Sequence, residues 1–465
     1  MIALKDKYRI PAWISCRTYF FGEENSRTYI ANEKNHTYIQ LDGLASDMWK
    51  MLYDNIDDNN FNKWTQDNQI SEQVEDFINE LIGQNLLLSV EQKEIENSLN
   101  NSAEEGRTLN DDNKFVEEMQ AWLYNNKFMF SLFFELTYRC DLKCVHCYNP
   151  KHMSNVEIDL DICKKAIDDA YDIGCFRVTF SGGEATLHSK FLELVKYVRS
   201  KHMSVEIFTN GQTLNKNEKL YRELISLHPY RVCVSLYSTE EEMHEKVTDV
   251  KGSFNNTFSI IKKLTADNVS VQIKNFLLNF NCMDCLKVKQ LAEKIQASSI
   301  ADISLIPTIE GDKKTMQFVL KEDDLFALYT DINSPLYIGD NFKKIPYNDI
   351  KEQTPCLAGL TSLCINPKGD VTICVSMPYL VGSLSETSLY EIWNSAMDKN
   401  EDSKLYQWQQ IKISDLKECF KEDYCQFCHY CPGMGYLENG YLKHSDVLCK
   451  QAQVKMQVYN FLRNK

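Results

Sequence analysis

The stretch FSLFFELTYRCDLKCVHC, residues 130–147, decides how the rest of the chain is read. FSLFFEL reads as a β-strand, and Cys140-x3-Cys144-x2-Cys147 follows it on a loop. Three thiolates on one loop can hold three irons of a 4Fe–4S cube and leave the fourth iron without a protein ligand. An open coordination position of that kind separates a reactive metal centre from a closed structural one. Zinc is the alternative occupant. It would want a fourth ligand, and His146, wedged between two of the cysteines, is badly placed to supply it.

Outward from this loop, strand-like and helix-like segments alternate over residues 127–335. Strands are expected at FSLFFEL, FRVTF, VEIFT, RVCVSLY, VQIKNF and ADISLI. The intervening helices include 159–173, closed by Gly174, and one that turns Phe191, Val195 and Val198 inward. Such alternation implies an α/β fold with parallel strands and right-handed crossovers, here a partial, TIM-like (β/α)6 barrel. Chemistry in such barrels sits at the C-terminal strand ends, and further motifs fall there. Ser181-Gly182-Gly183-Glu184 ends FRVTF, Thr209-Asn210-Gly211 ends VEIF, and Ser235 lies at the end of RVCVS. Glycines permit close backbone approach, and a carboxylate beside them can accept from an ammonium group.

The cysteine loop and the Gly-Gly-Glu one unit later resemble the radical S-adenosylmethionine (SAM) superfamily over residues 127–333. The resemblance implies that Cys140, Cys144 and Cys147 bind a 4Fe–4S cluster whose open iron is chelated by the amino and carboxylate groups of SAM. It implies that Glu184, beside Gly182 and Gly183, holds the SAM ammonium, and that the backbone near His146 faces adenine. Asn210 and Ser235 would lie near the nucleoside or carboxylate. The implied chemistry is reductive cleavage of the SAM S–C5′ bond to a 5′-deoxyadenosyl radical. Two positions depart from the family. Ala185 stands in place of the usual proline. After the fourth strand, His244 and Glu245 resemble the family's His-Asp, but Thr248 occupies a place often held by arginine, which leaves the anchor for the SAM carboxylate open, with Lys251 as one candidate.

From about Ile345 the alternation breaks, and cysteines, glycines and short loops dominate. Something other than a large apolar core is therefore expected to hold residues 336–465 together. Cys356, Cys364, Gly369-x4-Cys374, Cys419, Cys425, Cys428, Cys431 and Cys449 supply eight thiolates, enough for two further 4Fe–4S clusters. The pattern resembles the SPASM extension of radical SAM enzymes. Its middle block differs, reading C-x5-C-x2-C-x2-C where the family has C-x2-C-x5-C-x3-C. The resemblance implies Cys356, Cys364 and Cys374 on a first auxiliary cluster and Cys425, Cys428 and Cys449 on a second, with Cys419 and Cys431 divided between them. A zinc ribbon is the alternative for Cys425–Cys431 taken alone. Cys16, Cys163, Cys175, Cys233, Cys282 and Cys285 read as small buried hydrophobes.

Residues 1–90 open with RTYFF and RTYIANEKNHTYIQL, which read as strands. LDGLASDMWKML follows, with Leu44, Met48 and Met51 or Leu52 on one helical face, and then a helix carrying Val74, Phe77, Ile78, Leu81 and Ile82. This winged-helix-like module resembles the leader-binding domain of peptide-modifying enzymes and the small chaperone of pyrroloquinoline quinone synthesis. The resemblance implies that an extended leader peptide adds as a strand to a free sheet edge. Residues 91–126, rich in Glu, Asn, Asp and Ser, read as a linker.

Composition narrows the class. Of 465 residues, 43% are hydrophobic and 25% charged, ordinary for a soluble globular protein. No run approaches the roughly eighteen apolar residues of a membrane span, and MIALKDKYRIPAW lacks a secretory core, so a cytoplasmic protein without a membrane partner is expected. The net charge of −15 argues against nucleic acid. The 17 cysteines, clustered in a reducing compartment, point to metal. The activity expected from the resemblances is that of a peptide maturase. It would abstract hydrogen from a core residue of a ribosomally made precursor peptide and close a cross-link, a thioether from Cys to carbon being favoured. A carbon–carbon bond between side chains and anaerobic sulfatase-type formylglycine formation are the alternatives. Three 4Fe–4S clusters, SAM and a flavodoxin- or ferredoxin-type electron donor would serve it.

Overall fold

The computed structural model describes residues 7–22, 25–89, 109–149, 151, 153–339, 342–416 and 418–463. Its centre is a nine-stranded sheet. Strands β6 (Ser131–Glu135), β7 (Arg177–Ser181), β8 (Ser204–Thr209), β9 (Arg231–Ser235), β10 (Val271–Phe276) and β11 (Ser298–Asp302) run parallel and adjacent in chain order, numbered after five short strands of the N-terminal module. Period-two alternation gives the two faces different jobs. Leu132, Phe134, Val178, Phe180, Val205, Ile207, Val232, Val234 and Ile273 are completely buried in one core with helix residues such as Ile167, Leu194 and Ile260. Each such side chain contributes about 1.5–3 kcal/mol of burial. The opposite face carries Glu135, Thr179, Glu206, Cys233 and Lys274 together with Phe133, Phe208 and Phe276, so the interior of the partial barrel mixes polar groups with aromatic rings.

Local signals account for the helices. The helix Leu160–Asp172 starts on Asp159, whose carboxylate accepts from the amides of Asp161 and Ile162, and the chain leaves it through Gly174 at φ 87°. The sixth strand departs from expectation, lying at 298–302 rather than 301–306. Asp302 accepts from the Ser304 amide at 2.8 Å, turning the chain away, and Ile303 packs into a separate cluster with Leu325 and Leu328.

The C-terminal region does have an apolar core, contrary to the sequence expectation. Strand β12 (Ser362–Ile365) pairs parallel with β6, and β13 (Asp370–Cys374) and β14 (Met377–Ser383) add antiparallel, so the cysteine-rich region extends the barrel's own sheet. Leu363, Ile365, Val371, Trp393 and Leu405 join the barrel's core cluster. No short-range pattern announces this, because each strand is only four to seven residues long.

In the N-terminal module, β2 (Ile14–Phe21), β3 (Asn25–Asn32) and β4 (Thr37–Asp42) form an antiparallel sheet, and β1 (Tyr8–Arg9) pairs with β5 (Leu88–Ser89). The helix Leu44–Tyr53 buries Met48 and Trp49 rather than Leu44, which is 42% exposed. A further helix, Asp58–Asp67, starts on Asp57. Of the linker, the helix Leu109–Asn125 packs Met119 and Leu123 among Tyr19, Tyr29 and Tyr38 of the sheet and Phe130, Phe176 and Tyr230 at the barrel's N-terminal strand ends; residues 90–108 lie outside the described residues. The outer edge of β2 meets the barrel: the Cys16 amide donates to the His202 carbonyl at 2.8 Å. The Arg199 guanidinium donates to Ser15 Oγ and to the Ala12 carbonyl, each at 2.5 Å. Among the described residues, β4 makes no backbone hydrogen bond beyond β3. No helix among them is long and apolar enough to cross a membrane.

Candidate active site

The cysteine loop leaves β6 and is held from two sides. The amides of Lys143 and Val145 donate to the carbonyls of Thr248 and Val247, at 3.0 and 2.9 Å. Thr248, where the family often has arginine, thus anchors the loop through its backbone; its hydroxyl pairs with Ser253 Oγ at 2.7 Å. Glu245 accepts from the Gly252 amide at 2.6 Å, and Lys251 is exposed.

From the other side comes Gly-Gly-Glu. A Cβ at Gly182 would lie 2.5 Å from the Thr137 carbonyl oxygen, and one at Gly183 would lie 2.4 Å from that of Arg139. The close approach these glycines permit is to the backbone leading into Cys140. The Gly183 and Glu184 amides donate to the Thr137 and Arg139 carbonyls at 2.7 and 2.9 Å, locking it in place. Glu184 is 1% exposed. Its Oε1 accepts from the Thr186 amide and hydroxyl and from Thr209 Oγ1, and its Oε2 from the Asn210 amide at 2.7 Å. Burial, reinforced by Asp141, pushes its carboxyl up to about 7. Oε2 retains acceptor capacity, and an arriving amino group would restore the ionised form.

Asn210 turns its amide to Asp141 Oδ1 at 2.6 Å and to Cys140 Sγ at 3.7 Å, tying the end of β8 to the cysteine loop. Ser235, at the end of β9, lies near Tyr237. The Tyr237 hydroxyl in turn lies 3.8 Å from Cys144 Sγ. The His146 ring stacks on Phe276, centroids 4.7 Å apart, with its edge to Tyr237 at 5.0 Å. Burial lowers its pKa to about 4, and its Nδ1 is buried without a hydrogen-bond partner among the described residues, so the ring is neutral.

Cys140, Cys144 and Cys147 are electrostatic neighbours in sequence order. Burial first, and then the adjacent Cys147, pushes the Cys144 thiol up to about 12. No cation ranks among the charges acting most strongly on Cys140 or Cys144. Thiols this costly to ionise become thiolates when a strongly cationic group binds them, which suits iron. No three His, Cys, Asp or Glu side chains among the described residues converge on the position of a single ion; a four-iron cube spreads its thiolates over its corners.

The eight C-terminal cysteines fall into two groups. Cys374 has Cys431 and Cys356 as neighbours, and Cys364 has Cys374. Cys419 and Cys449 each have Cys425 and Cys428. Cys431 thus lies with Cys356, Cys364 and Cys374, and Cys419 with Cys425, Cys428 and Cys449. Cys364 pairs across β12–β6 with Phe133, which puts it on the sheet face that lines the barrel.

Between these groups lie residues that the motifs do not mark. Glu135, 6% exposed, accepts from the Tyr148 hydroxyl at 2.6 Å, and burial pushes its carboxyl up to about 7. Its charge acts on both Cys147 and Cys364. A lone carboxylate in the apolar run FSLFFEL was the available signal for it. Tyr237 had none, because its contact with Cys144 spans 93 positions.

The description "Radical SAM superfamily" matches residues 134–281, and "Iron-sulfur cluster-binding domain" (SPASM) matches residues 356–432. The antilisterial bacteriocin subtilosin biosynthesis protein AlbA of Bacillus subtilis (strain 168) is 30% identical over 334 residues, 69% of this chain and 70% of that one. The mycofactocin maturase MftC of Mycolicibacterium smegmatis is 26% identical over 287 residues, 56% of this chain and 69% of that one. The crystal structure of Streptococcus suis SuiB bound to precursor peptide SuiA shares the fold, with a TM-score of 0.54 at 16% identity, covering 95% of this chain and 99% of that one. The chain belongs to the SPASM-bearing branch of the radical SAM enzymes, whose cofactors are SAM and 4Fe–4S clusters, auxiliary ones included.

Proposed function

We propose that this enzyme closes a cross-link within a ribosomally made precursor peptide whose leader docks on residues 1–90. The observation that carries the reading is that the cysteine loop and the Cys364 group meet at one barrel interior, in a chain whose N-terminal sheet has, among the described residues, an unpaired β4 edge. Relatives named for bacteriocin biosynthesis and mycofactocin maturation support a peptide substrate. When bound, SAM and the clusters supply one-electron chemistry: hydrogen-atom removal from a substrate carbon and uptake of the electron released as the new bond forms.

In this reading Cys140, Cys144 and Cys147 ligate the SAM-binding cluster. Glu184 accepts from the SAM amino group, and Gly182 and Gly183 keep the loop backbone in register. Two complete four-thiol sets hold two auxiliary clusters. Four thiols per set match four irons, so a substrate thiolate is placed against the first set, beside Cys364 and Glu135, rather than on one of its irons. The leader adds to β4 because the barrel engages the outer edge of β2. Formylglycine formation on an unfolded protein would leave the N-terminal module without a role.

Co-expression with a Cys-containing peptide encoded next to this gene tests the reading by mass spectrometry. A product lacking two hydrogens whose cysteine resists iodoacetamide is a thioether, and one whose cysteine still reacts is a carbon–carbon cross-link. Unmodified peptide from an enzyme that cleaves SAM would refute the substrate assignment. Leader docking is read by hydrogen exchange, where new protection on β4 amides is expected and its absence would overturn the edge assignment.

A further inference from the structure

A cavity of about 490 Å³ lies away from the cysteine loop, between the open edge of the barrel and the C-terminal helix. Ile303 and Ser304, directly after β11, form one side; Gln451 and Lys455 of the helix Asp446–Arg463 form another; Leu336, Ile338 and Phe342 give it an apolar wall. His429, between Cys428 and Cys431, also borders it.

Of the six polar side chains that line it, Ser304, Tyr329, Tyr337, His429, Gln451 and Lys455, three bear most on a ligand. Tyr329 is 2% exposed, and its hydroxyl is buried with no hydrogen-bond partner among the described residues. Leaving such a hydroxyl unmade costs about 1–3 kcal/mol, so buried hydroxyls are normally satisfied. The Lys455 ammonium sits 5.8 Å from the Tyr329 ring centroid; no carboxylate among the described residues pairs with it, and the anionic group acting on it is the Cys428 thiol. Gln451, 4% exposed, has its amide committed to the Ile303 carbonyl at 3.1 Å. One ammonium and one unpartnered hydroxyl beside an apolar wall suit a carboxylate with a hydrophobic body.

We infer that this cavity binds a carboxylate carried on an apolar body, with Lys455 and Tyr329 as its donors. The carboxylate has two sources, the C-terminus of a peptide chain or a free amphipathic acid. The open barrel edge beside the cavity favours the peptide, a choice that rests on the function proposed above; the carboxylate site itself does not.

Binding to the cluster-loaded full chain separates these cases without any turnover. N-acetyl-Val-Leu as free acid should bind about ten- to a hundredfold tighter than its C-terminal amide, as a charge-assisted hydrogen bond gives. Lys455→Gln should erase that preference, Lys455→Arg should keep it, and Tyr329→Phe should weaken the acid severalfold. Octanoate is the second probe: tighter binding of the peptide acid assigns a chain terminus, tighter binding of octanoate assigns a free acid, and either supports the site. Equal affinity for acid and amide, or a preference that survives in Lys455→Gln, overturns it.

Discussion

Gly183→Ala isolates the geometric role of the Gly-Gly-Glu motif. The added methyl carbon would lie 2.4 Å from the Arg139 oxygen, 2.5 Å from the Tyr138 oxygen and 2.7 Å from the Arg139 carbonyl carbon, whereas ordinary contact begins at 3.4 Å. Either residue 183 or the 138–139 backbone must therefore move by about 1 Å. Relaxation is opposed by the paired hydrogen bonds from Gly183 to Thr137 and from Glu184 to Arg139. Gly183 does not have positive φ, so alanine pays no conformational penalty and the cost is spatial. Overpacking of this kind destabilises by about 1–3 kcal/mol, too little to unfold a chain of this size.

The functional cost is larger, because Arg139 leads directly into Cys140. A displacement of about 1 Å at a reacting centre lowers a rate by roughly a hundredfold. Dithionite-driven 5′-deoxyadenosine formation measures that rate, and thermal unfolding reports the fold. Gly83→Ala is the control, since a Cβ there meets nothing within 4 Å. Wild-type SAM cleavage by folded Gly183→Ala protein would refute the claim that these glycines exist for backbone approach.

Cysteine substitutions test the two C-terminal groups through iron content, with about twelve irons expected in the intact protein. Cys374→Ala and Cys431→Ala should each lose about four irons, and the pair together no more than either alone. Cys374→Ala combined with Cys419→Ala should lose about eight, and any other pattern breaks the partition. Arg199→Ala should destabilise the chain by about 3 kcal/mol, since Ser15, Ala12 and Ile14 lose a buried charged donor. Urea unfolding measures this, and a loss under about 1 kcal/mol would show that the junction between module and barrel does not depend on it.

The barrel was legible because its signals are local. Strand alternation repeats within a few residues, and the cysteine loop and Gly-Gly-Glu each occupy one turn of chain at a strand end. The C-terminal strands were not legible: β12 and β13 are too short to show a period, and β6, the partner that joins β12 to the barrel, lies more than 220 positions earlier. The division of Cys419 and Cys431 between the two groups, and the contacts of Tyr237 and Glu135 with the cysteines, were likewise hidden.

What the sequence settled by itself is the kind of donor present and its spacing, since ligand chemistry and loop length are covalent facts. Which thiols become neighbours, and which sheet edge is open and which hydroxyl unpartnered among the described residues, depend on packing between segments far apart in the chain. Those outcomes appear only when the whole core closes, because burial and close approach are properties of the surrounding atoms rather than of any residue alone.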